Sequence, residues 1–178
     1  FARAGHDVRM WDQSPAATGG ARDYIAGVLG DLASNDLLRG QSVDTVLGRI
    51  AIVAELAEAV ADAVHVQENT PENLEVKREV FSLIDTLAGP QTVIASSTSA
   101  LLPSKFTDHL RGRHRCLVVH PINPPYLIPA AEVVPAPWTS AETLERTRAF
   151  LIDAGHAPLV MKRELDGFIM NRLQGALL

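Results

Sequence analysis

The sequence predicts a doubly wound α/β fold around a mostly parallel sheet, and three observations carry that prediction. Short runs rich in β-branched residues recur between amphipathic stretches: VRM, RIAIV, AVHV, TVIAS, CLVVH and APLVM. These runs are apolar throughout rather than alternating, the pattern of strands covered on both faces. A cluster of hydroxyls, a histidine and an acid stand at or near the ends of those runs, where such sheets bind ligands.

Taken in order, FARAG reads as the last turn of a helix stopped by Gly5, and VRMWD as a strand ending in Asp12. Ser14 is a candidate N-cap and Pro15 a first helical residue, so a helix is expected to about Leu38. Gly19 and Gly20 follow the acid instead of preceding it and have no strand before them, so they read as loop or helix-breaking glycines. Residues 40–48 form a loop or a short helix, 49–56 a strand running into a short helix, and 63–69 the next strand. A helix starts at Pro71, with Glu72 in its first turn and Leu74, Phe81, Ile84 and Leu87 at helical spacing, and stops at Gly89-Pro90. TVIAS (92–96) is a buried strand, PSKFTDHL (103–110) a short helix and CLVVH (116–120) another strand. AAEVVP (130–135) is the first candidate for an antiparallel strand. A capped helix follows at 140–155, then a strand at 157–161, and Asp166-Gly167 open a terminal helix.

Composition bounds the function. The 178 residues are 47% hydrophobic and 21% charged, enough chain to bury roughly 70% of its unfolded surface in one domain or a little more. A net charge of −5 and the lack of a basic cluster beyond Arg111-Arg113-Arg115 argue against nucleic acid. No apolar run approaches the ~20 residues of a membrane span, and no signal peptide is seen, so a cytoplasmic location is expected. The single cysteine, Cys116, lies in an apolar run and reads as core. Both ends look interrupted: the chain starts at Phe1 without a methionine, and DGFIMNRLQGALL is an apolar-periodic helix with no stop signal.

The strongest chemistry lies at His120 and Glu132. Each belongs to an apolar strand, and twelve residues with a Pro/Asn turn let two neighbouring strands face each other. A carboxylate in AAEVV is costly unless paired; a histidine nearby would satisfy it through one ring nitrogen and leave the other as a base. A purely structural pair is the competing reading. Asp12 suits an acid that accepts ribose hydroxyls and repels a 2′-phosphate, favouring NAD, although a solvated strand-end acid is simpler on the residues alone. Glu72 and Lys77 read by spacing as a solvated pair. The Thr98 and Ser99 hydroxyls either cap the next turn or bond a substrate oxygen. Asn171 is either exposed beside Arg172 or projected into the site. No metal-ligand spacing stands out.

SSTSALLPSKF, HPINPPYLIPAAEVVP and DGFIMNRLQGALL together resemble the 3-hydroxyacyl-CoA dehydrogenase superfamily, most closely its lambda-crystallin or L-gulonate 3-dehydrogenase branch. The resemblance covers FARAGHDVRMWD to the end. It implies a Rossmann-type domain over 1–164 whose first strand and glycine loop would lie upstream of Phe1, and the start of an all-α C-terminal domain at 165–178. It implies NAD as cofactor, a small 3-hydroxy acid as substrate, and a homodimer formed through that helical domain. His120 matches the family's catalytic base, Glu132 its carboxylate partner, Ser99 the serine on the reacting hydroxyl and Asn171 the asparagine completing that site. Asp12 matches the ribose-binding acid, Glu72 and Lys77 NAD-contacting positions, and Asn123 the asparagine of the HxxNP turn. Acyl-CoA members usually read SNTSS, whereas Ser97 stands here as in the gulonate and carnitine branches. The first lysine is Lys77, which leaves only Arg22, Arg39 and Arg49 for an anionic CoA. Ala130-Ala131 replace the family's usual Leu-Val before Glu132. The expectation is an NAD-dependent oxidation of a gulonate-like 3-hydroxyl, with residues 1–178 inactive alone. L-carnitine 3-dehydrogenase, 3-hydroxyacyl-CoA dehydrogenase and a non-catalytic crystallin-like NAD binder are the alternatives.

Overall fold

The computed structural model describes residues 1–178, which divide into two units, Phe1–Ala61 and Asp62–Leu178. In the first, a 3-10 turn over Ala2–Ala4 ends on Gly5 at φ 106, a left-handed conformation that suits glycine. Val8–Met10 (β1) leads to the long helix Pro15–Ser34 (α1) and the short Val43–Leu47 (α2), whose N-cap Ser42 accepts the Thr45 amide at 3.1 Å. Ile50–Ile52 (β2) then pairs in parallel with β1, Val8 opposite Ile50, before Leu56–Val60 (α3). Two expectations change here. Gly19 and Gly20 lie inside α1 instead of breaking it, in positions where a Cβ would meet nothing within 4 Å. The helix also ends at Ser34, not Leu38, because the chain turns at Asn35 and Asp36, the latter at φ 57.

The second unit holds His65–Glu68 (β3), Leu74–Leu87 (α4), Val93–Ser96 (β4), Pro103–Thr107 (α5) and Cys116–Pro121 (β5). Ala130–Pro135 (β6), Ala141–Asp153 (α6), Ala157–Val160 (β7) and Met170–Leu177 (α7) complete it. The sheet order is β3-β4-β5-β6-β7. β3, β4 and β5 run parallel, β6 is antiparallel to β5 as expected, and β7 is parallel to β6. No ladder joins β1 to β3.

Burial follows the apolar runs. Every residue of β4 and the stretch Cys116–His120 of β5 is buried, and Phe81 of α4 meets Phe106 of α5 edge-on at 4.9 Å. The α4 start differs from expectation. Asn73 is the N-cap, its Oδ1 accepting the Val76 amide at 3.0 Å, so Pro71 and Glu72 precede the helix. Leu87 ends it 45% exposed, outside the core. α6 is capped by Ser140 as expected, and α7 begins at Met170, after an irregular turn at Gly167 and Phe168. No helix is long and apolar enough to cross a membrane.

β3 opens on a histidine with an electrostatic consequence. His65 stacks on Phe150 of α6 at 4.7 Å, and Nε2 pairs with Gln67 Oε1 at 3.0 Å. Burial pushes its pKa down to about 4, against the smaller upward pull of Gln67. Between pH 6.5 and 4 the unfolded chain therefore takes up a proton that the folded chain refuses, so stability falls as pH falls through that window. The full loss is about 3 kcal/mol. Chemical denaturation at pH 7 and pH 4 checks this: His65→Gln should lose markedly less stability between the two than the parent, and identical losses would contradict it.

Candidate active site

The carboxyl ends of β3, β4 and β5 and the facing strand β6 gather the polar groups of the second unit. His120 and Glu132 are cross-strand partners in the β5–β6 ladder. Residues directly opposite in an antiparallel pair project to the same face, and Nδ1 of His120 lies 2.7 Å from Glu132 Oε2. They are 7% and 1% exposed. The other carboxylate oxygen, Oε1, accepts the amides of Ile169 at 2.6 Å and Met170 at 2.9 Å. A buried carboxylate accepting on both oxygens fixes the Nδ1 proton toward itself, which leaves Nε2 as the basic nitrogen.

The four hydroxyls at and beyond the end of β4 differ in their surroundings. Ser96 Oγ donates to Glu68 Oε2 at 2.5 Å, and Ser97 Oγ donates to the Glu68 carbonyl at 3.0 Å. Thr98 Oγ1 donates to Glu72 Oε1 and accepts the Leu101 amide at 2.9 Å. Ser99 is exposed, and its carbonyl takes Asn171 Nδ2 at 2.8 Å. Three hydroxyls are thus engaged within the chain, and Ser99 stands exposed beside them. His120, Glu132, Asn171 and Ser99 are linked through the start of α7.

Glu72 and Lys77 do not form the solvated pair that their spacing suggests. Burial pushes the Glu72 carboxyl up, but hydrogen bonds from Thr98 and the Leu101 amide, the Lys77 charge and the Ala100 amide together hold it below the usual range. Lys77, 1% exposed, donates to both oxygens of Glu68 at 3.0 Å and to the Thr70 carbonyl at 3.2 Å. Its three acceptors all lie within the chain, and Glu68 holds it inside. Asn123 is exposed and precedes a cis peptide to Pro124. Cys116 is fully buried, and burial pushes its thiol up to about 12, as befits core rather than a nucleophile.

In the first unit, Asp12 is exposed two residues beyond β1 and accepts the Ser14 amide at 2.8 Å through Oδ1. An exposed carboxylate with acceptor capacity left, at a strand's carboxyl end, fits a pair of ribose hydroxyls.

The family model "3-hydroxyacyl-CoA dehydrogenase, NAD binding domain" matches residues 1–164. The chain belongs to the 3-hydroxyacyl-CoA dehydrogenase family. It is 41% identical over 179 residues to the lambda-crystallin of Oryctolagus cuniculus, covering 100% of this chain and 56% of that protein. It is 40% identical over 177 residues to the L-carnitine dehydrogenase of Streptomyces griseus, covering 99% of this chain and 52% of that one. Among solved structures, the 3-hydroxybutyryl-CoA dehydrogenase of Escherichia coli superposes with a TM-score of 0.90 at 27% identity, covering 97% of this chain and 36% of that one. The fold is the Rossmann type and the cofactor is NAD, as expected. The chain spans about half the length of the curated relatives it matches.

Two features escaped sequence reasoning. Glu68, in the QEN end of β3, carries no sequence signal of its buried pairing with Lys77. Phe168, 0% exposed, stands 5.9 Å from the His120 ring between centroids. Lys77→Met, which strands a buried carboxylate, should cost about 3–5 kcal/mol of stability. Adding Glu68→Gln should restore most of that, because it removes the orphaned charge. Urea melts of both variants check it, and a Lys77→Met protein as stable as its parent would refute the ion pair's role.

Proposed function

We propose that the protein carrying this chain oxidises the 3-hydroxyl of a small, gulonate-like hydroxy acid to the 3-keto acid. The observation that carries this reading is the His120–Glu132 pair, with Nδ1 held at 2.7 Å and Nε2 open. NAD, when bound, supplies the acceptor for the hydride that leaves the carbinol carbon. His120 Nε2 takes the hydroxyl proton, and Glu132 steadies the resulting imidazolium without itself becoming protonated. The Ser99 hydroxyl and the Asn171 amide hold the reacting oxygen. Asp12 and Glu72 serve the nucleotide side, with Asn123 in the turn beyond β5.

Two observations favour a small polyol acid. A quaternary ammonium substrate needs an aromatic cage, yet the Trp138 indole donates to Thr107 at 3.1 Å and Arg113 covers its ring at 4.7 Å. For an anionic CoA, Arg49 is already engaged, donating to the Ala2 carbonyl at 3.0 Å and to Gln41 at 2.6 Å.

Initial rates of the whole protein with NAD and L-gulonate, L-carnitine or 3-hydroxybutyryl-CoA test this. L-gulonate should be turned over best, and turnover of the CoA ester alone would exclude the reading. His120→Asn should lower kcat by roughly 10²–10⁴-fold, as expected of a lost general base.

A further inference from the structure

Gly167 and Phe168 are consecutive residues in the left-handed region, at φ 75 and φ 47. Glycine adopts that conformation freely; phenylalanine does so only where its surroundings enforce it. Here the enforcement is visible on three sides. The Phe168 side chain is fully buried, with its ring tilted 57° to that of His120. The next two amides, of Ile169 and Met170, both point at Glu132 Oε1. Asn171 then donates to the Ser99 carbonyl. One five-residue turn therefore touches the base, the carboxylate and the hydroxyl-bearing loop after β4.

From this geometry we propose that the turn Gly167–Asn171 positions the His120–Glu132 pair, with Phe168 as its positioning residue. This rests on the reading of His120 as the base. A glutamate side chain on its own is free to turn about its last bond and present either oxygen or neither. Two amide donors on Oε1 fix the carboxylate plane and so hold Oε2 on His120 Nδ1. Phe168 prevents the imidazole from swinging off that bond. The left-handed pair is what makes both contacts possible at once: it sends the aromatic ring inward and then turns the following amides back onto the carboxylate.

The test uses the whole protein with Phe168→Ala, Phe168→Leu and Glu132→Ala. In Phe168→Ala, kcat should fall by about ten-fold or more, since a base displaced by a fraction of an ångström loses its alignment, while KM for NAD stays close to that of the parent. The limb of the pH profile of kcat/KM that reports the base should shift, and nitrogen NMR of His120 should show a tautomer mixture in place of a proton held on Nδ1. Phe168→Leu, which refills the space, should restore the tautomer. A merely structural phenylalanine would lower stability but leave the pH profile and tautomer as in the parent, and that result overturns the proposal. Should Phe168→Ala fail to fold, amide exchange decides. Glu132→Ala should speed exchange at Ile169 and Met170 by about ten-fold or more, by removal of their acceptor, with β4 amides unchanged; unaltered rates there overturn the proposal. Loss of turnover in His120→Asn together with an unaffected Phe168→Ala would defeat this inference alone, whereas full turnover in His120→Asn defeats the functional reading beneath it.

Discussion

A carboxylate that is 1% exposed in the middle of an apolar strand has to find donors for both its oxygens, and around Glu132 those donors come from two separate parts of the chain. Oε2 takes His120, its direct partner across the β5–β6 ladder; Oε1 takes the first amides of α7. The β5–β6 register, the irregular turn at Gly167 and the state of the imidazole are thus conditions on one another. The antiparallel β6 is what makes this possible, because only an antiparallel neighbour brings a strand-end histidine directly opposite a mid-sequence acid after a short turn.

The same device recurs at the neighbouring strand ends. Glu68, also buried, gathers Lys77, Ser96 and Thr70 and so joins the ends of β3 and β4 to the start of α4. Glu72, just before that helix, does likewise for Thr98, Ala100 and Leu101. A buried ion pair such as Glu68–Lys77 contributes little net stability but strongly penalises any arrangement that leaves one partner alone. It therefore favours a single conformation of the loop that carries Ser99.

Much of this was legible in the sequence, for identifiable reasons. TVIAS and CLVVH are apolar without alternation, so their burial followed from pattern alone. The His120–Glu132 contact followed from the cost of an unpaired acid in AAEVV. The start of α4 was misread because Pro71 satisfies the rule for a first helical residue while Asn73 satisfies the rule for a cap, and side-chain capping won. Gly19 and Gly20 looked like helix breakers because their penalty, about 1 kcal/mol each, is local, whereas the helix forms as a whole. Lys77 was misplaced because spacing on a helix gives no information about a strand-end acid on another element. The left-handed Phe168 had no sequence signal beyond the preceding glycine, since nothing local favours an aromatic residue there.

The different surroundings of Ser96, Ser97, Thr98 and Ser99 have a bearing on how this segment tolerates change in length. Only Ser96 belongs to β4, and the other three follow it; though all four are chemically alike, Ser96 is buried on the Glu68 carboxylate, Ser97 half-buried on the Glu68 carbonyl, Thr98 buried on Glu72, and Ser99 exposed. Replacing Ser97 removes a single bond, whereas Ser96 and Thr98 also accept backbone amides. Inserting or deleting one residue just after Ser96 brings a different residue to each of the places that Ser97, Thr98 and Ser99 hold. Phase therefore matters in SSTS as much as composition: the stretch acts as an addressing scheme in which position beyond the end of β4, not the kind of side chain, decides which hydroxyl is buried and which faces outward.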